Sequence, residues 1–282
     1  MKIAIAGATG QLGRVTVQKL KEKTAAENLV ALVRTPEKAT DLGIEARAFD
    51  YTKPGNLVEA LKGVDKLFLI SGNEIGQREI QHKNVINAAK EAGVKSVIYT
   101  SLLHAATSEM ALAAEHAATE KALIDSGISY TILRNGWYTE NYAGSIAGAI
   151  QAGGFIGSAG DGKISSATRE DFAEAAAVVL TTEGHENKIY ELGGDEAYTL
   201  SDLAAEISKQ TGKNIPYNNL PEADFAGVLV SVGLPEGFAK ILADSDAKAS
   251  KGALYTEDKT LSKLIGRKTT PLAEVVKHFV SY

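Results

Sequence analysis

Short apolar runs alternate with segments of helical period through the first half of the chain. The apolar runs fall at 2–6, 29–33, 45–49, 66–70, 96–100 and 130–133. Several, such as Ile3-Ala4-Ile5-Ala6 and Leu29-Val30-Ala31-Leu32-Val33, lack the in–out alternation of a strand with one wet face. Continuous apolar runs are what strands covered on both faces require. Segments of helical period lie between them at 12–23, 36–42, 55–61, 79–92 and 111–126, and Gly93 and Gly127 stop the last two. Strands alternating with helices in this way specify parallel strands joined by crossover helices. Six strands and five crossovers predict an α/β fold whose doubly wound parallel sheet is nearly complete by residue 134.

Beyond that point the pattern loosens. Residues 135–166 are rich in Gly, Ala and Ser, 168–180 and 201–211 have helical period, and 188–192 fits a further strand. From Pro221 onward, short helical pieces separated by Gly and Pro lead to a last helix at 271–280. The expected organisation is a first domain over 1–134, to which 168–192 returns, and a smaller α/β lobe over 135–282. That lobe is expected to interleave with the last sheet elements, cover one mouth of the cleft and carry substrate contacts.

Composition narrows the function classes. Hydrophobic residues make up 44% and charged residues 23% of the 282, enough for a sizeable core. The net charge of −5 is spread over interspersed signs without a Lys/Arg run, which argues against nucleic acid as a partner. No apolar stretch approaches the ~20 residues of a membrane span. The absence of cysteine excludes disulfides, thiolate metal sites and a cysteine nucleophile. His82, His104, His116, His185 and His278 show no paired ligand spacing, so no metal is expected. A soluble, unprocessed, cytoplasmic protein is the expectation.

The first strand runs into Gly7-Ala8-Thr9-Gly10-Gln11-Leu12-Gly13, which opens the first helix. One glycine allows the tight turn, a second lets backbone amides approach a pyrophosphate, and a third lets the helix pack closely on the strand. The helix end adds free N–H groups and partial positive charge. This loop opens a βαβ series, so it predicts a Rossmann dinucleotide site rather than an ordinary glycine turn. The GxxGxxG spacing is that of the extended short-chain dehydrogenases. Arg34 follows the second strand where an acidic residue would bind the ribose hydroxyls of NAD. Its guanidinium fork suits a 2′-phosphate and so favours NADPH, against an ordinary surface arginine. Asp50, Ser71 and Ser101 also follow strand ends, where such sheets bind ligands, with Asp50 placed for the adenine edge and Ser101 towards the nicotinamide.

Carbonyl-reducing short-chain dehydrogenases use a Tyr-x-x-x-Lys pair as acid and ribose anchor. The matching helix here carries Lys121, but Ala117 stands at the tyrosine position. Lys121 is either a ribose ligand or a solvated helix lysine. Past the sixth strand, Asn135-Gly136-Trp137-Tyr138-Thr139-Glu140-Asn141-Tyr142 gathers amides, hydroxyls and aromatic rings, as a flat conjugated substrate needs. Trp137 and Tyr142 are equally consistent with packing beneath the lobe, whereas Asn135, Tyr138 and Asn141 point to function.

GATGQLG, ALVRTPEKA, SLLHA at 101–105, TEKALIDSGISYTILRNGWYTENY and GDGKISSATRED together resemble the NmrA-like atypical short-chain dehydrogenases, and within them the bacterial NAD(P)H-dependent quinone reductases. The likeness extends into the tail, through SVGLPEG and LADSDAKASKG. The resemblance implies that Gly7 to Leu12 hold the pyrophosphate and Arg34 the 2′-phosphate of NADPH. It implies that the NGWYTEN stretch lines the nicotinamide and quinone site, with Asn141 catalytic or substrate-orienting and Tyr138 beside it. It also brings Arg169 back towards the cofactor.

That kinship accounts for the missing tyrosine. A quinone that accepts a hydride becomes a phenolate of pKa ~10, which needs hydrogen-bond donors more than a strong acid. Direct hydride transfer from NADPH to a small-molecule quinone, without flavin or metal, is the expected reaction. A non-enzymatic NADP(H)-binding redox sensor is the alternative, and an isomerase or a reductase of imines or enones a second. Ala-rich segments at 111–118 and 173–177 leave a homodimer open.

Overall fold

Every residue of Ile3–Ala6 and of Leu29–Val33, in the first two apolar runs, is buried. In the computed structural model, which describes residues 1–281, both runs are inner strands of one sheet. In chain order the first half holds β1 (Ile3–Ala6), α1 (Gln11–Lys21), β2 (Leu29–Val33), β3 (Glu45–Ala48), α2 (Leu57–Ala60), β4 (Lys66–Leu69), α3 (Arg78–Glu91), β5 (Ser96–Leu102), α4 (Ala113–Asp125) and β6 (Ser129–Asn135). The second half adds α5 (Ala143–Ala152), β7 (Phe155–Gly157), α6 (Arg169–Thr181), β8 (Lys188–Leu192), α7 (Leu200–Thr211), β9 (Tyr217–Asn219), α8 (Glu222–Ser231), α9 (Glu236–Ala249), α10 (Thr260–Ile265) and α11 (Leu272–Val280).

The main sheet has the order β3-β2-β1-β4-β5-β6-β8. All pairings from β3 through β6 are parallel. The chain winds outward from β1 to β3 and then restarts at β4 on β1's other side. The crevice beyond the carboxyl ends of β1 and β4 is therefore the topological switch point, where open α/β sheets bind ligands. Alternate residues face opposite helical layers. Ala4, Ala6, Val30, Leu32, Leu67, Leu69, Val97, Tyr99 and Ile132 share one core with Leu57 and Leu61, Val85 and Ile86 of α3, and Leu123 of α4. α1 and α6 pack along each other. Each fully buried Leu, Ile, Val or Phe contributes about 1.5–3 kcal/mol.

The chain divides into two units. Residues 1–106, 114–135 and 169–190 form the first, and the remaining described residues form the second. In the second, β7 and β9 pair in parallel as a separate two-stranded sheet, Phe155 opposite Tyr217.

Several expectations need correction or refinement. The 36–42 segment is helical as expected, in the 3-10 form, opened by Pro36 and stopped by Gly43 in the left-handed region at φ +60°. The 55–61 segment is a 3-10 turn followed by a single α turn, because Pro54 and Gly55 occupy its start. The fifth and sixth strands run past their apolar stretches to Leu102 and Asn135, which face each other at the end of the ladder. The Gly/Ala/Ser-rich stretch contains a ten-residue helix, α5, which buries Ile146 and Ala149. The tail contains the 14-residue α9 rather than short pieces alone.

Candidate active site

The first unit builds a phosphate cradle at the end of β1. Gly7 turns the chain at φ +76°, and its carbonyl accepts the Gly10 amide at 2.9 Å. A Cβ on Gly13 would lie 2.2 Å from the Gly7 oxygen and 2.8 Å from the Ala8 Cα, so α1 can approach β1 this closely only with glycine there. Leu12 and Ala8 are buried beneath the turn, while Thr9 is partly buried and Gln11 exposed. Gly10 caps α1 without a side-chain bond, and no acidic residue occupies the first turn. The helix therefore offers uncapped amide donors and the positive end of its dipole, the donor set a pyrophosphate needs.

Around this cradle the other expected residues take different situations. Arg34 is exposed beyond β2, with its Nη1 3.5 Å from Glu74 Oε1. Asp50 accepts the backbone N–H of Thr52 at 3.0 Å and its hydroxyl at 2.8 Å, closing an Asx turn after β3. Ser71 follows β4 and donates its amide to Thr100 Oγ1 at 2.9 Å. The Ser101 hydroxyl donates to Glu120 Oε1 at 2.5 Å, pointing into the unit's interior. Asn135 is buried at the end of β6, where its carbonyl accepts the Leu103 amide at 2.9 Å. Lys121 stands on the exposed face of α4 in an ion pair with Asp125 at 2.7 Å, one turn on. Arg169 opens α6 next to Glu170, which bonds Lys19 two turns along α1 rather than the glycine turn.

A buried polar network lies behind the β4–α3 loop. His82 Nε2 accepts the Gly72 amide at 2.9 Å, so its proton sits on Nδ1, which donates to Thr119 Oγ1 at 2.9 Å. Arg78 Nε donates to the Gly72 carbonyl at 2.6 Å. Glu115 Oε1 accepts the amides of Gly76 and Arg78 at 3.0 and 3.1 Å. His116 Nδ1 lies 2.8 Å from the Tyr99 hydroxyl, with Arg78 Nη1 3.5 Å from its Nε2. Burial, aided by the Arg78 charge, lowers the His82 pKa to about 4 and the His116 pKa to about 3, so both rings are neutral at pH 7. Burial drives the Tyr99 hydroxyl well above its ordinary value.

The second unit holds the aromatic and amide group. Tyr138 pairs with Ala167 as an isolated bridge, and the Thr139 amide donates to the Ala167 carbonyl at 3.0 Å. The Thr139, Ser166 and Tyr198 hydroxyls form a buried chain at 2.7 and 2.6 Å. These bonds fix a 3-10 turn over Thr139–Tyr142 in which the Asn141 amide donates to the Tyr138 carbonyl at 2.9 Å. That bond brings the backbones of Tyr138 and Asn141 together at the start of the turn. Tyr138 is half-buried and Asn141 exposed. Trp137 is buried with no protein partner for its indole N–H. Tyr142 takes the packing reading, its ring 6.4 Å from Phe155, which is itself 6.3 Å from Tyr217. No cluster of three His, Asp or Glu side chains suited to a metal occurs among the described residues.

A glycine turn feeding an uncapped helix at the switch point of a doubly wound sheet defines a dinucleotide-binding protein. Comparison with known proteins carries this further. A family model described as NAD(P)H-binding matches residues 7–183. The chain is 60% identical to quinone oxidoreductase 2 of Escherichia coli over 98% of both chains. It is 29% identical to an NmrA-like family domain-containing oxidoreductase of Aspergillus flavus, over 99% of this chain and 95% of that one. The crystal structure of an NADPH-dependent quinone oxidoreductase of E. coli in complex with NADPH superposes with a TM-score of 0.97 at 59% identity, covering 99% of each chain. The chain belongs to the NAD(P)H-binding family and, within it, to the NmrA-like oxidoreductases.

Proposed function

We propose that the protein is an NADPH-dependent quinone oxidoreductase that transfers a hydride directly to a small-molecule quinone, without flavin or metal. The observation that carries this reading is the 60% identity to E. coli quinone oxidoreductase 2 along essentially the whole of both chains. The uncapped amino end of α1 and the Gly13 approach to Gly7 support the cofactor. The Gly7 to Leu12 turn holds the pyrophosphate through the free amides at the start of α1, Arg34 takes the 2′-phosphate, and Asp50 and Ser71, with the backbone at Ser101 and Asn135, line the strand ends beside the nucleotide. The nucleotide is assigned to the Rossmann domain, and the remaining lobe supplies the substrate-side residues.

The chemistry supplied by the bound dinucleotide is a hydride from its nicotinamide C4. Trp137 offers an aromatic wall for a flat acceptor. Tyr138 and Asn141 aim O–H and N–H donors at the quinone oxygen where negative charge develops, which lowers the barrier for hydride arrival. Addition of the hydride delivers two electrons and one proton equivalent, and solvent supplies the second proton to an oxygen of pKa ~10. The acidic, mixed-sign surface is suited to a cytoplasmic enzyme of small molecules rather than to nucleic acid.

The test is steady-state oxidation of NADPH, and separately of NADH, by the purified protein with a simple benzoquinone and no added flavin. Turnover with NADPH preferred is the expected result. Tight NADPH binding without turnover on any quinone would instead identify a sensor.

A further inference from the structure

Arg34 and Glu74 are both open to water, their side chains 68% and 45% exposed. Such pairs ordinarily hold each other weakly and wander. Glu74, however, is held from behind: its other carboxylate oxygen, Oε2, accepts the amide of Gln81 at 2.8 Å, and Gln81 is buried on α3, 5% exposed. The loop that carries Glu74 is strapped on both sides. Gly72 is gripped through its N–H by His82 and through its carbonyl by Arg78, and Glu115 takes the amides of Gly76 and Arg78. The fold thus sets a carboxylate against the guanidinium that serves the 2′-phosphate.

We infer that Glu74 is a specificity-determining residue for the adenosine end of the dinucleotide: its carboxylate competes with the 2′-phosphate for Arg34 and accepts a hydrogen bond from a 2′-hydroxyl when no phosphate is there. The inference rests on the reading of Arg34 as the 2′-phosphate partner. A phosphate and a carboxylate drawn to one guanidinium repel each other, so Glu74 reduces the gain from Arg34. For an unphosphorylated ribose the same carboxylate is the acceptor that NAD-binding folds use. Arg34 and Glu74 together therefore admit both nucleotides, with a preference for NADPH narrower than Arg34 alone would give. A search along the strand ends for one acidic or one basic residue misses this, because the two charges come from loops 40 residues apart in sequence and meet only in the fold.

The experiment is isothermal titration of the full chain with adenosine 2′,5′-bisphosphate and with 5′-AMP, reading the ratio of the two dissociation constants. Glu74→Gln keeps the shape and removes the charge, and Glu74→Ala repeats the test without an amide. Both are expected to widen the ratio in favour of the bisphosphate by about 3-fold or more at low ionic strength, with the effect shrinking as salt screens it. An unchanged or narrowed ratio in both variants overturns the role of Glu74. Arg34→Ala separates the two ideas. A ratio near one in Arg34→Ala beside unaltered Glu74 variants leaves Arg34 in place and removes Glu74. A wild-type ratio in Arg34→Ala removes the Arg34 reading and this inference with it.

Discussion

Glu120 on α4 and Arg134 on β6 form a forked, buried ion pair, Nη2 to Oε2 at 2.6 Å and Nε to Oε1 at 2.9 Å, with side chains 6% and 13% exposed. Ser101, at the end of β5, donates to the same Oε1. One carboxylate thereby ties together three elements near the carboxyl ends of the strands. Arg134→Met strands that carboxylate without its cation, and breaking a buried pair costs about 3–5 kcal/mol. Urea unfolding is expected to show that loss, and a smaller one in Glu120→Met/Arg134→Met, where no charge is left behind. A single variant as stable as the wild type contradicts this account.

Gly13→Ala tests the close approach of α1 to β1. The added Cβ would sit 2.2 Å from the Gly7 carbonyl oxygen, backbone that cannot step aside. Pushing the helix away costs about 1–3 kcal/mol and shifts the amides that face the pyrophosphate. At Gly144, within α5, a Cβ would meet nothing within 4 Å, so Gly144→Ala is expected to stabilise by about 0.4–1 kcal/mol. Thermal unfolding distinguishes the pair, and NADPH titration should show weakened binding for Gly13→Ala alone.

The sheet was legible because its signals are local. Continuous apolar runs mark β1 and β2, the glycine loop marks the turn into α1, and Gly93 and Gly127 do end their helices in the left-handed region at φ +76° and +75°. The three-residue strands β7 and β9 were not, since their partners lie 62 residues apart and neither run is long enough to show a period. The polar network is hidden for a related reason. Arg78 and His82 on α3, and Glu115 and Thr119 on α4, each stand four apart on a helix face, but His82 and Thr119 meet across 37 residues. A polar i, i+4 pair on a face that periodicity assigns to the core is the signal that was available. At Glu120-Lys121 the helical rotation of about 100° per residue turns the glutamate inward and the lysine outward. The lysine motif is therefore visible in the sequence, and the role of its buried neighbour is not.

His82 makes the stability of the first unit depend on pH. Its pKa is about 4 in the folded chain and near 6.5 when unfolded. Between those values the unfolded chain binds the extra proton, so stability is complete above pH 6.5 and falls as the pH drops towards 4, by on the order of 3 kcal/mol. His116, at about 3, acts in the same direction. Urea midpoints measured from pH 7 to pH 4 should decline, and His82→Gln should flatten part of that slope while lowering stability at pH 7. A variant whose slope matches the wild type's would show that the ring does not stay neutral.

Asn141→Ala tests the donor assigned to the quinone oxygen. Asn141 is exposed on a turn held by backbone bonds and by the Thr139–Ser166–Tyr198 hydroxyl chain. Truncation should therefore leave folding and NADPH affinity near wild type. An amide aimed at developing oxyanion charge supplies about 10²-fold in rate, and kcat for a benzoquinone at saturating NADPH is expected to fall by that order. Tyr138→Phe should lose less if the two donors share one oxygen, and the double variant should then lose less than the product of the singles. If kcat is unchanged in Asn141→Ala while quinones still turn over, the hydrogen-bond donor to the quinone oxygen lies elsewhere, and the indole N–H of Trp137, buried without a protein partner, is the next to remove.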